Sequence, residues 1–289
     1  MNRSLALSGL ALAVIAVAGP AASQRNWTVP ATPFHIIGPV YSVGSEGLAI
    51  YLIHTKAGDI LLDAGVPQIA PQIEANIKTL GFDPKTLKFL INSHAHFDHS
   101  GGLAQIKADT GAKVVGSELD RESLENGHYL GSETTKAFDA PPVKVDRAVK
   151  DGDTLSLGGV TLTANITPGH TRGCTSWTMP VVEAGKTHKI VFFCSATVAA
   201  NRLTPNPQYP GIVEDYRKTF VKGRAMAKDI DIYLAPHTEF FDMAGKRARL
   251  EANPKGPNPF IVPGEFAKAI DKFEADFNVQ LAAQQKAAK

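Results

Sequence analysis

The chain is poor in cysteine, with 2 among 289 residues, and nearly neutral, with 30 Lys and Arg against 28 Asp and Glu. Two thiols cannot staple a small disulfide scaffold, so folding must rest on a hydrophobic core. A formal charge of +2 provides no basic face for nucleic acid or an anionic membrane. Beyond the N-terminus no apolar run approaches the ~20 residues that a spanning helix needs. Tandem repeats, low-complexity tracts and charged linkers are also missing from residues 24–289, so nothing divides them into separate domains. What remains, at 44 % apolar and 20 % charged residues, is a globular chain long enough for one large core.

Residues 1–23 read MNRSLALSGLALAVIAVAGPAAS. The amino terminus and Arg3 supply positive charge, and residues 5–18 form an apolar run. Ala21 and Ser23 occupy positions −3 and −1 of a small-residue cleavage site before Gln24. This is the pattern of a secretory signal peptide, and it predicts a mature chain in the periplasm or outside the cell. Oxidation is permitted there. Cys174 and Cys194 fall near the ends of neighbouring expected strands, and a disulfide between them is the favoured reading. Two buried thiols are an alternative, as is Cys174 acting as a soft metal ligand four residues after His170.

Apolar alternation and short apolar runs predict strands at 41–43, 48–53, 59–62, 87–91, 113–115, 161–166, 190–193 and 230–234. Helical spacing links Ile69, Ile73, Ile77 and Leu80 behind Pro67. It recurs at Leu103 and Ile106, at Ile212, Tyr216 and Phe220, and most clearly at Phe266, Ile270, Phe273, Phe277 and Leu281. These stripes are read as core-facing surface. The Pro-rich stretches 204–211 and 253–263 are expected as irregular connections, and 118–146 as a long surface loop over a site.

The strand at 87–91 runs into Asn92-Ser93-His94-Ala95-His96-Phe97-Asp98-His99-Ser100-Gly101-Gly102. In an extended segment, residues two apart point the same way about 6.6 Å from one another, so His94 and His96 can converge on one ion. Asp98 and His99 point differently, which suits a second ion, and Gly101-Gly102 lets the chain turn closely into a helix. One HxH motif would be an ordinary polar loop; HxHxDH after an apolar strand reads as a metal site. His170, in Thr167-Pro168-Gly169-His170-Thr171, and His237, in Ala235-Pro236-His237-Thr238, each follow an expected strand. Either alone would be an ordinary loop residue; beside HxHxDH, both are candidate ligands. His35, His54, His128 and His188 lack such partners and are read as structural or surface residues, with His128 a candidate to line the long loop.

Taken in order, His94, His96, Asp98, His99, His170 and His237 resemble the ligand series of the metallo-β-lactamase superfamily. Asp63, in Leu61-Leu62-Asp63-Ala64-Gly65, is similar to that family's early strand-end aspartate. The resemblance implies an α/β fold, an αββα sandwich of two mixed β-sheets packed face to face with helices on both outer faces. It also implies two zinc ions per chain, one on His94, His96 and His170 and one on Asp98, His99 and His237. Spacing alone does not apportion them.

Hydrolases of the superfamily such as hydroxyacylglutathione hydrolase usually carry a bridging aspartate after the strand that here ends Phe192-Phe193. This chain has Cys194-Ser195-Ala196-Thr197. A serine there, with His94 and His99 intact, is similar to the third subclass of class B β-lactamases. So are Trp27, residues 33–38 and Gly169-His170-Thr171-Arg172-Gly173-Cys174-Thr175-Ser176-Trp177.

That resemblance implies zinc-dependent opening of penicillins, cephalosporins and carbapenems, and hence antibiotic resistance. A metal-activated water would be the nucleophile, with Asp98 orienting it. Ser195, Thr197 and Asn201 would bind the substrate carboxylate, and Asp63 would buttress a ligand histidine. The expected partner is a small β-lactam, with no nucleic acid, no membrane after leader removal, and a monomeric chain. Thioester or lactone hydrolysis on the same fold, or zinc binding without turnover, are the alternatives.

Overall fold

The computed structural model describes residues 26–130 and 135–288; the expected leader, 1–23, lies outside them. Two β-sheets form the centre. In the first, β1 (Phe34–Ile37), β2 (Val40–Ser42), β3 (Tyr51–Thr55) and β4 (Gly58–Leu62) pair antiparallel in sequence order. β5 (Leu87–Ile91), β6 (Lys113–Ser117) and β7 (Arg147–Val149) then extend the sheet in parallel. Parallel neighbours need crossovers. These carry α1 (Ala70–Thr79) before β5, α2 (Phe97–Ser100) and α3 (Leu103–Thr110) before β6, and α4 (Arg121–Asn126) before β7.

The second sheet has the order β12-β11-β10-β9-β8, built from β8 (Thr154–Leu157), β9 (Val160–Ile166), β10 (Thr175–Glu183), β11 (Lys186–Phe192) and β12 (Ile232–Leu234). Only β11 and β12 pair in parallel, and α5 (Ile212–Met226) lies between them in sequence. α6 (Met243–Ala252) and α7 (Glu265–Ala287) complete the chain.

The period of two along the first sheet divides its side chains between two cores. Tyr51, Ile53, Ile60, Leu62, Ile91 and Val115 face the second sheet and join Trp177, Met179, Ile190 and Phe192 there. Leu52, Leu61, Leu90 and Val114 point outward and meet Ile73 and Ile77 of α1 and Leu103 and Ile106 of α3. The outer face of the second sheet is closed by α5 and α7, whose Tyr216, Phe220, Phe266, Ile270 and Phe277 are buried. Burying each such side chain contributes roughly 1.5–3 kcal/mol. The product is the αββα sandwich, with helices on both outer faces.

The strand at 87–91 and all the helical stripes appear where the sequence places them. β10, nine residues long, was not among the expected strands, because Pro180 interrupts its pattern. Pro180 is tolerated because β9 pairs only with Thr175–Thr178, so at 180 one side of the strand needs no donor. β1, β7 and β8 have at most four residues each, too short for alternation to declare them. The stretch 118–146 is less a loop than expected, for it holds α4 and a helical turn at Lys136–Phe138.

Candidate metal centre

The C-terminal ends of β5, β9, β11 and β12 meet along one edge of the sandwich. Hydrogen bonds between the sheets hold this edge together: Thr175 N to Ser93 O (2.7 Å), Ala49 N to Pro236 O (2.8 Å) and Tyr51 Oη to Ala235 O (2.7 Å). After β5 the chain bends at Ser93 and Ala95, is extended at His96, and then coils into the single turn of α2, which carries Asp98 and His99. Gly102 lets this segment settle on the loop after β4; a Cβ there would lie 2.3 Å from Ala64 O. His170 enters from the loop after β9 and His237 from the loop after β12.

These residues form two trios. Ligand atoms of His94, His96 and His170 all lie within 4.8 Å of one another, as do those of Asp98, His99 and His237. In the first trio His94 Nε2 is 3.1 Å from His170 Nε2. In the second, Asp98 Oδ2 is 3.2 Å from His99 Nε2 and 3.4 Å from His237 Nε2, and the two histidine Nε2 atoms are 3.2 Å apart. All are buried except His237, whose side chain is 16 % exposed.

The far side of each ring decides which nitrogen carries the proton. His170 Nδ1 donates to Thr197 O (2.7 Å). Ser93 Oγ donates to Asp63 Oδ2 (2.7 Å), so it accepts from His94 Nδ1 (2.9 Å). Both Nε2 atoms of this pair are therefore bare lone pairs facing each other, an arrangement that a shared cation relieves. His96 Nε2 and His237 Nδ1 are buried without any hydrogen-bond partner. This donor set fits divalent metal.

Burial, reinforced by the neighbouring imidazoles, holds His94 and His96 well below the usual histidine range. Burial likewise brings His170 down to about 4 and His237 to about 3, so these rings are neutral and able to ligate at pH 7. Burial pushes the Asp98 carboxyl up, but His99, His237 and His96 together outweigh it and leave Asp98 ionised.

Asp63, at the end of β4, adopts φ +63° and is buried. Its carboxylate accepts from Ser93 N (2.7 Å), Ser93 Oγ (2.7 Å) and Asn92 Nδ2 (3.1 Å), and lies 3.6 Å from His99 Nδ1. One side chain thus reaches His94 through Ser93 and His99 directly, a member of each trio.

Ser195 and Thr197 lie beside His170: their hydroxyls are 3.2 Å apart, and Thr197 Oγ1 is 3.3 Å from His170 Nδ1. Asn201 directs Nδ2 to His170 O (3.0 Å) and Tyr216 Oη (3.2 Å). Cys174 and Cys194 form a disulfide with Cα atoms 5.8 Å apart, so neither sulfur is a thiolate ligand although both lie near His94. His35, His54, His128 and His188 sit outside the site, on Gly38 O, Asp59, Asp139 and Asp231 respectively.

A cavity of about 410 Å³ opens over both trios. Trp27, Phe97, Tyr129, Phe138 and Phe240 form its walls, with Thr197 at one side. The sequence offered no signal for most of these aromatics; Trp27 packs on Phe97 and His237 from far along the chain, and Phe138 stacks on Phe97.

A sandwich of this topology with two ligand trios at one sheet edge is the architecture of a metallohydrolase. The family model "Metallo-beta-lactamase superfamily" matches residues 47–183. Among solved structures, a subclass B3 metallo-β-lactamase of Bradyrhizobium japonicum is 48 % identical at a TM-score of 0.89, covering 92 % of this chain and 100 % of that one. The metallo-β-lactamase from Legionella gormanii is 36 % identical at a TM-score of 0.85, over 89 % and 98 % of the two chains. A curated relative, the hydroxyacylglutathione hydrolase of Hyphomonas neptunium, is 30 % identical over 77 % of this chain and 74 % of its own length. The chain belongs to the metallo-β-lactamase superfamily.

Proposed function

We propose that this chain is a zinc-dependent hydrolase that opens the amide bond of β-lactam rings in penicillins, cephalosporins and carbapenems, and so confers antibiotic resistance. The observation that carries the reading is the pair of buried trios beside Ser195, in the position where thioester hydrolases of the fold usually carry a carboxylate. Full-length similarity to solved β-lactamases supports it.

His94, His96 and His170 would hold one zinc and Asp98, His99 and His237 the other, three protein ligands each, which leaves room for water and substrate. Zinc supplies Lewis acidity and lowers the pKa of a bound water to about 7. The ionised Asp98 borders the cavity and accepts a hydrogen bond from the attacking water, fixing its direction. Ser195 and Thr197 donate to the carboxylate next to the lactam nitrogen, with Asn201 holding the His170 loop beside them. The aromatic walls cover the apolar part of the substrate. No serine nucleophile is needed.

The pattern of residues 1–23 supports export to the periplasm, and no helix among the described residues is long and apolar enough to cross a membrane. A monomer suffices, because every proposed ligand comes from one chain.

A second reading, thioester hydrolysis, is favoured by the curated relative named hydroxyacylglutathione hydrolase. Parallel assays with a carbapenem and a lactoylglutathione-type thioester, with and without chelator, separate the two. Chelator-sensitive lactam turnover far above thioester turnover is the expected result; the reverse ranking hands the chain to the second reading. Bound zinc without turnover of either substrate means a metal-binding protein.

A further inference from the structure

Asp120 is only 3 % exposed, yet it belongs to neither trio. It stands at the N-terminal end of α4, where an aspartate commonly turns its carboxylate onto its own helix. Here it makes no such cap. Oδ2 accepts instead from Ala95 N (3.1 Å) and Thr171 Oγ1 (2.7 Å), and Oδ1 from Gly173 N (2.8 Å). Ala95 is the residue between His94 and His96, and Thr171 follows His170. A single carboxylate therefore grips the backbone of both loops that deliver the three-histidine trio.

The arrangement is demanding. No cation lies within ion-pair distance of Asp120 among the described residues; burial pushes its carboxyl up, and the three donors offset that only in part. Gly173 makes the approach possible, since a Cβ there would lie 2.6 Å from Asp120 Cγ. Asp120 makes no hydrogen bond or ion pair with Asp98, His99 or His237.

We propose that Asp120 is the positioning residue of the His94, His96 and His170 trio, fixing the separation of its two loops and thereby the affinity of that trio for a divalent cation. The second trio depends on it far less. This rests on reading the trios as metal sites. Positioning partners outside the ligand set typically change metal affinity about 10- to 100-fold when removed.

The test titrates metal-stripped full chain with cobalt(II) and zinc(II) against a chromophoric chelator, comparing the unmodified protein with Asp120→Asn and Thr171→Val. Thermal melting of the metal-free proteins reports folding. In Asp120→Asn, one of two cobalt equivalents should bind about 10- to 100-fold more weakly, with an altered ligand-field spectrum, while the other stays nearly unchanged. Thr171→Val, which removes one of three donors, should shift the same equivalent by less. Repeating both changes in a His237→Ala background, where only the histidine trio is complete, assigns the weakened equivalent to that trio.

A folded Asp120→Asn that binds both equivalents normally, or loses both alike, overturns the proposal. If Asp120→Asn does not fold, an unchanged cobalt affinity in Thr171→Val overturns it. Absence of metal binding by the unmodified chain removes the metal-site reading itself, whereas tight binding by all three proteins removes only the role of Asp120.

Discussion

His94 Nε2 and His170 Nε2 lie 3.1 Å apart, and neither carries a proton. Ser93 occupies the far side of one ring and the Thr197 carbonyl the far side of the other, so both lone pairs are aimed inward before any ion arrives. Orienting the rings in advance lowers the conformational entropy lost on metal binding, and locks the tautomer that ligates.

The second trio depends on His237, whose side chain is 16 % exposed against 9 % for Asp98 and 2 % for His99. His237→Ala should leave one tightly bound zinc per chain and lower kcat by about 100-fold or more, since losing a ligand exceeds the usual loss of an outer partner. Elemental analysis beside lactam kinetics checks this. Two zinc ions in the variant would mean that His237 is not a ligand.

Ser195→Ala should raise KM about tenfold for lactams with a free carboxylate, consistent with loss of a hydrogen bond to a charged group, and change kcat little. Esterified lactams should be spared. Equal effects on both substrate forms would show that Ser195 does not bind the carboxylate.

The disulfide joins the loop after His170 to the segment bearing Ser195, across 20 residues. Its reduction should cost about 3 kcal/mol. For a domain of this size that lowers Tm by about 6–12 °C. Thiol titration of denatured, unreduced protein should find no free cysteine; two reactive thiols would count against the bridge.

Phe277 of α7 is 1 % exposed and packs on Tyr216 (5.0 Å) and Phe220 (5.4 Å) of α5. Phe277→Ala should destabilise the chain by about 3–5 kcal/mol through the cavity it leaves. Zinc stoichiometry and kcat at low temperature should be unchanged. Denaturant melts measure the first, and a loss below about 1 kcal/mol would mean that α7 is not tightly packed.

The stripes at Phe266–Leu281 and Ile212–Phe220 were legible because a helix that covers a sheet must repeat its apolar residues every three to four positions. β5 was legible as a short apolar run leading into HxHxDH. β10 was not, because Pro180 reads as a strand breaker until the edge it faces is known to be unpaired. The short strands β7 and β8 are held by their neighbours rather than by any pattern of their own.

Local sequence was enough to bring His94, His96, Asp98 and His99 together, because ligands a few residues apart on one turn of backbone are neighbours in any fold. It also marked His170 and His237 as strand-end candidates. Only the tertiary structure decided which nitrogen of His94 and of His170 is bare, that Asp63 reaches a member of each trio, and that Asp120 spans two loops. It alone assembled the aromatic walls of the cavity. Those relationships depend on where sheet edges and crossover loops meet in space, and contacts between distant segments leave no periodicity or spacing in the chain from which to read them.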